Sequence, residues 1–165
     1  MPTYFITFTT YGQWLHGDPR GSVDRHHNRP GTPPLAPNNK RAAAQRKLMT
    51  ALPYRMDESR RAVVLAAIRE HAGFRGWHVL AAHIRTTHVH LVVSGEVPPE
   101  QMMTAFKAYA SRALTVAGLG DRDERRWARH GSTRWLNTSD TVQRAIRYTV
   151  DEQGEPMAVF EVREL

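Results

Sequence analysis

Residues 87–94 read Thr-His-Val-His-Leu-Val-Val-Ser, and no other run limits the possible folds of this chain as tightly. Successive side chains of a strand point to opposite faces. Val89, Leu91 and Val93 therefore enter a core, while His88 and His90 stand together on the other face. A strand of this kind belongs in a sheet with one apolar face and one face left for chemistry, which is the habit of antiparallel sheets.

The neighbouring segments supply that sheet. Trp77–Ile84 reads as a second strand, joined to the first by the short connection Arg85-Thr86-Thr87. Thr3–Tyr11, rich in aromatic and β-branched residues, reads as a third. Asp57 is placed to cap a helix running to about Ala72, with Val64, Ala67, Ile68 and His71 on one face and Gly73 and Gly76 punctuating its end. Pro99 opens another helix through Ala117, striped by Met102, Met103, Phe106, Ala110, Ala113 and Leu114 and stopped by Gly118. A short strand is expected at 133–136, a helix capped by Ser139 and running to about Glu152, and an edge strand over Met157–Val162. Residues 17–40, dense in Gly, Pro, Asn and His, read as a long irregular loop, and Asn39 can cap a helix over 40–51 that Pro53 stops. The order βαββαβ predicts an α+β, ferredoxin-like antiparallel sheet with helices on one face, plus an extra C-terminal helix that bears a tyrosine.

At 165 residues and no cysteine, one domain over 1–165 is expected, without disulfides, thiolate zinc or a cysteine nucleophile. No apolar run approaches the length of a membrane span, and residues 1–14 lack the pattern of a secretory signal, so a cytoplasmic protein without membrane partners is the expectation. The charge is lopsided. Twenty-three Lys and Arg face sixteen Asp and Glu, and five of those acids fall within residues 151–165 beside a single base. The preceding residues thus carry a surplus of eleven positive charges. Twenty of the bases are arginine, whose planar fork suits phosphate, so nucleic acid is the expected partner class. A genome rich in G and C accounts for the Arg-to-Lys ratio as readily as function does, but not for the net charge.

His88 and His90, on one strand face, can converge on a divalent ion, although His-x-His also arises by chance among nine histidines. Such an ion needs a further protein ligand. In the last helix Tyr148 and Glu152 lie four residues apart on one face, with Arg144 one turn earlier. Glu152 sits unfavourably near a helix C-terminus, which hints at a local cation. His83 opens a three-histidine zinc site as an alternative, and Tyr109 is a rival to Tyr148. Arg122, Arg125, Arg126, Arg129 and Arg134 surround Trp127. That tryptophan and Trp135 could stack unpaired bases, with Trp135 the one expected to pack in the core. His16, His26 and His27 in the long loop could touch DNA or simply be solvated.

These residues together resemble the HUH-type single-tyrosine transposases of insertion sequences and their domesticated REP-associated relatives. The match is His88-Val89-His90, then Tyr148-Thr149-Val150-Asp151-Glu152. Phe106–Arg112 is similar to the family's lysine-bearing helix, and Tyr11–Asp18 to the opening segment of one bacterial branch. The family commonly has Gln or Asn four residues after the tyrosine. Here that position is Glu152 and Gln153 follows, turned away on a regular helix.

The resemblance implies Mg²⁺ or Mn²⁺ held by His88, His90 and Glu152, and Tyr148 as the nucleophile toward single-stranded DNA. The product would be a 5′-phosphotyrosine and a free 3′-hydroxyl, which can later rejoin strands without ATP. No Gly-x-x-x-x-Gly-Lys-Ser/Thr run is present. A phenol ionises near pH ~10, so nearby cations are needed to favour the phenolate. Lys107, Arg112, Arg122, Arg125, Arg126, Arg129 and Arg144 are the expected DNA contacts, hairpin-ended single strands the expected substrate, and a homodimer a state found among mobile members. Two other classes compete: a binding module for structured DNA or RNA that never cuts, and a metal-dependent phosphoesterase that uses water.

Overall fold

The computed structural model describes residues 1–12 and 52–163. The loop expected at 17–40, the helix at 40–51, His16, His26, His27 and most of Tyr11–Asp18 lie outside the described residues. In chain order the elements are β1 (Thr3–Thr10), α1 (Glu58–Arg75), β2 (His78–Ile84), β3 (His88–Ser94), α2 (Pro99–Val116), β4 (Trp127–Leu136), α3 (Ser139–Asp151) and β5 (Ala158–Glu161). The five strands form one antiparallel sheet in the order β4-β1-β3-β2-β5, the α+β, ferredoxin-like arrangement expected.

Local signals set most of these boundaries. The Asp57 carboxylate accepts the Arg60 backbone N–H at 2.9 Å, and Gly76, at φ 72°, closes α1 in the left-handed region. The cap of α3 is Thr138 rather than Ser139. Its hydroxyl accepts the Thr141 N–H while Thr141 Oγ1 accepts the Thr138 N–H, a reciprocal capping box. Strand β4 begins six residues earlier than the sequence suggests, because Trp127–Ser132 pairs with β1 despite its polar composition. Gly131 permits this. A Cβ there would come within 2.5 Å of the Thr7 carbonyl oxygen and 3.1 Å of the Phe8 Cβ.

The two faces of the sheet are differently covered. Helices α1 and α2 lie on one face, over Ile6, Phe8, Ala82, Ile84, Val89, Leu91 and Val93, and contribute Val64, Ile68, Met102, Phe106 and Leu114 to this main core. Helix α3 lies on the other face, over a small cluster of Ala81, Val92, Leu136 and Ala145 with Phe5, Val142, Ile146 and Val150 at its margin. The tyrosine-bearing helix therefore covers part of the face that carries the histidines.

In β2 a register shift between Val79 and Ala81 decides which residues join that face. Strict alternation from Trp77 and Val79 would turn His83 into the main core. The bulge reverses the phase, so Ala82 and Ile84 enter the core and His83 sits beside His90 as its cross-strand partner.

Candidate active site

On the α3 face, β1, β3 and β4 bring Thr7, His90 and Ser132 into one cross-strand row, and Phe5, Val92 and Arg134 into the next. The His88 and His90 rings are 6.0 Å apart between centroids and within 10° of parallel. His90 Nδ1 lies 3.0 Å from the Thr7 hydroxyl, and His88 Nδ1 lies 2.8 Å from the Thr87 hydroxyl. When each Nδ1 donates to its threonine, Nε2 is the nitrogen with the lone pair, the tautomer a metal requires. Burial pushes the His90 pKa from 6.5 to about 4, helped by the neighbouring charges of His88, His83 and Arg85. His90 is therefore neutral at physiological pH.

Tyr148 reaches this pair from α3. Its ring meets that of His90 edge-on at 6.0 Å and that of Phe5 at 5.8 Å, and Phe5 also stacks on His90. The residue stays partly open to solvent, 43% exposed. The ring is thus held by aromatic contacts on a residue that is not buried. Beside it runs a groove of about 680 Å³ lined by Phe5, Arg134, Trp135, Thr141, Arg144, Arg147, Tyr148 and Glu152 among others. The Arg134 guanidinium sits over the Phe5 ring at 5.7 Å. Three arginines against one carboxylate make this a groove for an anion.

The structure brings His88, His90 and Tyr148 together, with Arg144 and Glu152 on the adjoining wall. Glu152 does not join the two histidines. It is the exposed C-cap of α3, and among the described residues no three His, Cys, Asp or Glu side chains converge. The donors present fit two of a divalent ion's positions. The Gln153 amide instead donates to the Tyr148 carbonyl at 3.0 Å.

Several sequence expectations are corrected. His83 cannot ligate zinc: its Nε2 accepts the Met157 N–H at 3.0 Å and its Nδ1 lies 2.9 Å from the Thr149 carbonyl, so both nitrogens are engaged. Tyr109 lies on α2 and stacks on His71 at 3.7 Å, across the sheet from His88 and His90. Arg126 is only 2% exposed. It donates to the Ser111 carbonyl, the Thr115 hydroxyl and the Asp121 carbonyl, so it holds a turn rather than facing a ligand.

Lys107 directs its ammonium at the Ala128 and His130 carbonyls, both at 3.0 Å, and burial lowers its pKa to about 8. Trp127, not Trp135, packs inward: its indole donates to the Lys107 carbonyl and the Ser111 hydroxyl, whereas Trp135 is 64% exposed. Arg112, Arg122, Arg125 and Arg129 are exposed.

The sequence offered no signal for Phe5, Thr7 or Thr87 as parts of the site, and it marked His83 only as an alternative zinc ligand rather than as a hydrogen-bonding partner of α3. Alternation along β1 puts Phe5 and Thr7 on the face away from Ile6 and Phe8, but only the β1–β3 register sets Thr7 opposite His90.

No protein-family model matches the chain, and no curated protein matches it. Among solved structures, one that matches is a REP-associated tyrosine transposase bound to a REP hairpin. It is 10% identical over 92% of this chain, with a TM-score of 0.49, and the chain spans 66% of that protein's length. Among the described residues no helix is long and apolar enough to cross a membrane.

Proposed function

We propose that the chain is a metal-dependent single-stranded DNA transposase or endonuclease that cleaves and rejoins strands through Tyr148. The observation that carries this reading is the edge-on contact of Tyr148 with His90, beside His88 and at the side of the arginine-lined groove. Phosphoryl transfer needs a nucleophile held in line and fixed positive charge around the phosphate, and these residues supply both.

His88 and His90 are the proposed ligands of Mg²⁺ or Mn²⁺, which supplies charge neutralisation at the scissile phosphate. Glu152, one turn beyond Tyr148 on the groove wall, is the proposed third ligand. Its exposed side chain can reorient. Thr7 and Thr87 keep the imidazoles in the ligating tautomer, and Phe5 holds the planes of both His90 and Tyr148.

Tyr148 Oη attacks phosphorus as the bond to the 3′-oxygen breaks. The phosphate stays on the 5′-oxygen of the downstream nucleotide, and the departing 3′-oxygen takes up the proton that the phenol gives up. Attack by a 3′-hydroxyl on the phosphotyrosine reverses these steps and joins strands. Arg134, Arg144 and Arg147 hold neighbouring phosphates, and exposed Arg112, Arg122, Arg125 and Arg129 extend the basic surface to flanking or hairpin DNA.

The test is a denaturing gel of protein with 5′- and 3′-labelled hairpin-flanked single strands and Mn²⁺. Attachment of only the downstream fragment, lost in His88→Ala and His90→Ala, is the expected result. A pure binding module yields no attachment, and a water-using phosphoesterase yields cleavage without it.

A further inference from the structure

Helix α3 has little apolar surface with which to hold its place. Only Ala145 and Thr149 are buried along it, while Val142, Ile146 and Val150 are half-buried at the edge of a four-residue cluster. Area burial of that size fixes a helix loosely in rotation about its axis and in sliding along the sheet. The hydroxyl of Thr149, fully buried, returns to its own helix at the Ala145 carbonyl, 2.8 Å away, and ties nothing to the sheet.

The tie comes from His83. It is fully buried, and it is on this face because of the β2 bulge. Met157 has a backbone N–H and can only donate, so the Nε2 that accepts it at 3.0 Å carries no proton. The proton must then be on Nδ1, which donates to the Thr149 carbonyl at 2.9 Å. One neutral imidazole thereby joins β2, the α3 backbone at the residue next to Tyr148, and the chain entering β5. Among the described residues, the Nδ1 bond is a directional contact, besides the aromatic contacts of Tyr148, that ties the last turn of α3 to the sheet.

We infer that His83 is a positioning residue whose Nδ1–H bond to the Thr149 carbonyl sets the rotation of α3 and so holds the Tyr148 ring against His90. Its consequence for catalysis rests on the function proposed above, but the geometric claim stands without it.

Two substitutions separate the two ends of the imidazole. His83→Asn puts an amide N–H near the Nδ1 position and leaves the Met157 N–H unmet. His83→Gln reaches the Nε2 position with an acceptor and leaves the Thr149 carbonyl unmet. NMR of the full chain reads the result. Wild type is expected to show His83 protonated at Nδ1 alone, together with a nuclear Overhauser contact between the Tyr148 and His90 rings. His83→Asn keeps that contact and His83→Gln loses it, although each removes one of the two hydrogen bonds.

In the strand-attachment assay His83→Gln is expected to lower the turnover constant by about 100-fold with KM for the oligonucleotide within about twofold, since a displacement of about 1 Å suffices for such a loss. His83→Asn should stay within about threefold of wild type. If His83 only fills space, the two variants will lose ring contact and turnover together, in proportion to their fall in melting temperature, and that result overturns the inference. An Nε2-protonated His83 in wild type overturns it as well, and needs no variant to fold. If wild type attaches to no strand, the proposed function fails, while the ring contact still decides the role of His83.

Discussion

Replacing Thr7 with valine removes one oxygen and keeps the shape of a β-branched strand residue, so it isolates the hydroxyl that meets His90 Nδ1 at 3.0 Å. His90 is 7% exposed and water cannot easily take the hydroxyl's place. A buried ring nitrogen left without its partner costs about 1–3 kcal/mol of stability. The larger diagnostic is the metal. An outer-shell partner that fixes a histidine's tautomer is typically worth 10–100-fold in metal affinity, roughly 1.4–2.7 kcal/mol. Thr7→Val should therefore weaken Mn²⁺ binding by about that factor, while Thr7→Ser, which keeps the oxygen, stays near wild type. Titration of free Mn²⁺ followed by electron paramagnetic resonance gives the constants, and urea unfolding of the same samples gives the stability. If Thr7→Val binds Mn²⁺ as tightly as wild type while remaining folded, the hydroxyl does not orient a ligand and His90 is not held for a metal.

Three other outcomes follow from the same structure. His71, His83 and His90 are all pushed below the ordinary histidine value chiefly by burial. The unfolded chain then binds protons that the native state refuses, so stability is full above pH ~6.5 and falls as pH drops below it. His90 alone contributes at most about 3 kcal/mol to that loss by pH ~4, and urea midpoints that stay flat from pH 8 to 5 would count against it. Arg126→Met should cost about 2–3 kcal/mol by stranding three acceptors yet leave DNA affinity unchanged, whereas Arg144→Ala should spare stability and reduce the salt slope of binding by about one; the reverse pattern would exchange their roles. Gly131→Ala should lower the melting temperature, because its methyl group would be driven against the Thr7 carbonyl. An unchanged melting temperature would mean that β4 shifts freely on β1.

The parts of this account that were legible in the sequence are those set by local periodicity. His88 and His90 share a face because a strand alternates, and Tyr148, Arg144 and Glu152 share one because a helix turns every 3.6 residues. The order of the strands and helices was legible for the same reason. What escaped depends on register and three-dimensional packing. Polar Trp127–Ser132 gives no strand signal, yet pairs with β1 because Gly131 lets the backbones approach.

A one-residue bulge in β2, invisible in Trp-His-Val-Leu-Ala-Ala-His-Ile, moves His83 from the main core to the site face and turns an apparent zinc ligand into an anchor. Arg126 looks like its neighbours Arg125 and Arg129 in sequence, but the turn at 117–126 folds its guanidinium inward onto α2. The position of Glu152, the C-cap just past the last residue of α3, likewise comes from the helix end rather than from spacing.

The central claim is that Tyr148, lying against His90, is the group that bonds to DNA. Tyr148→Phe keeps the ring and its contacts with Phe5 and His90 and removes only the oxygen. Wild type, Tyr148→Phe and Tyr109→Phe are each incubated with labelled hairpin-flanked single strands and Mn²⁺, denatured, digested and read by mass spectrometry for the peptide that carries a nucleotide. The account predicts a nucleotide on the peptide containing Tyr148 in wild type and in Tyr109→Phe, and none in Tyr148→Phe, whose affinity for the strand stays within about threefold. An adduct that persists in Tyr148→Phe, or that maps to Tyr109, would contradict it.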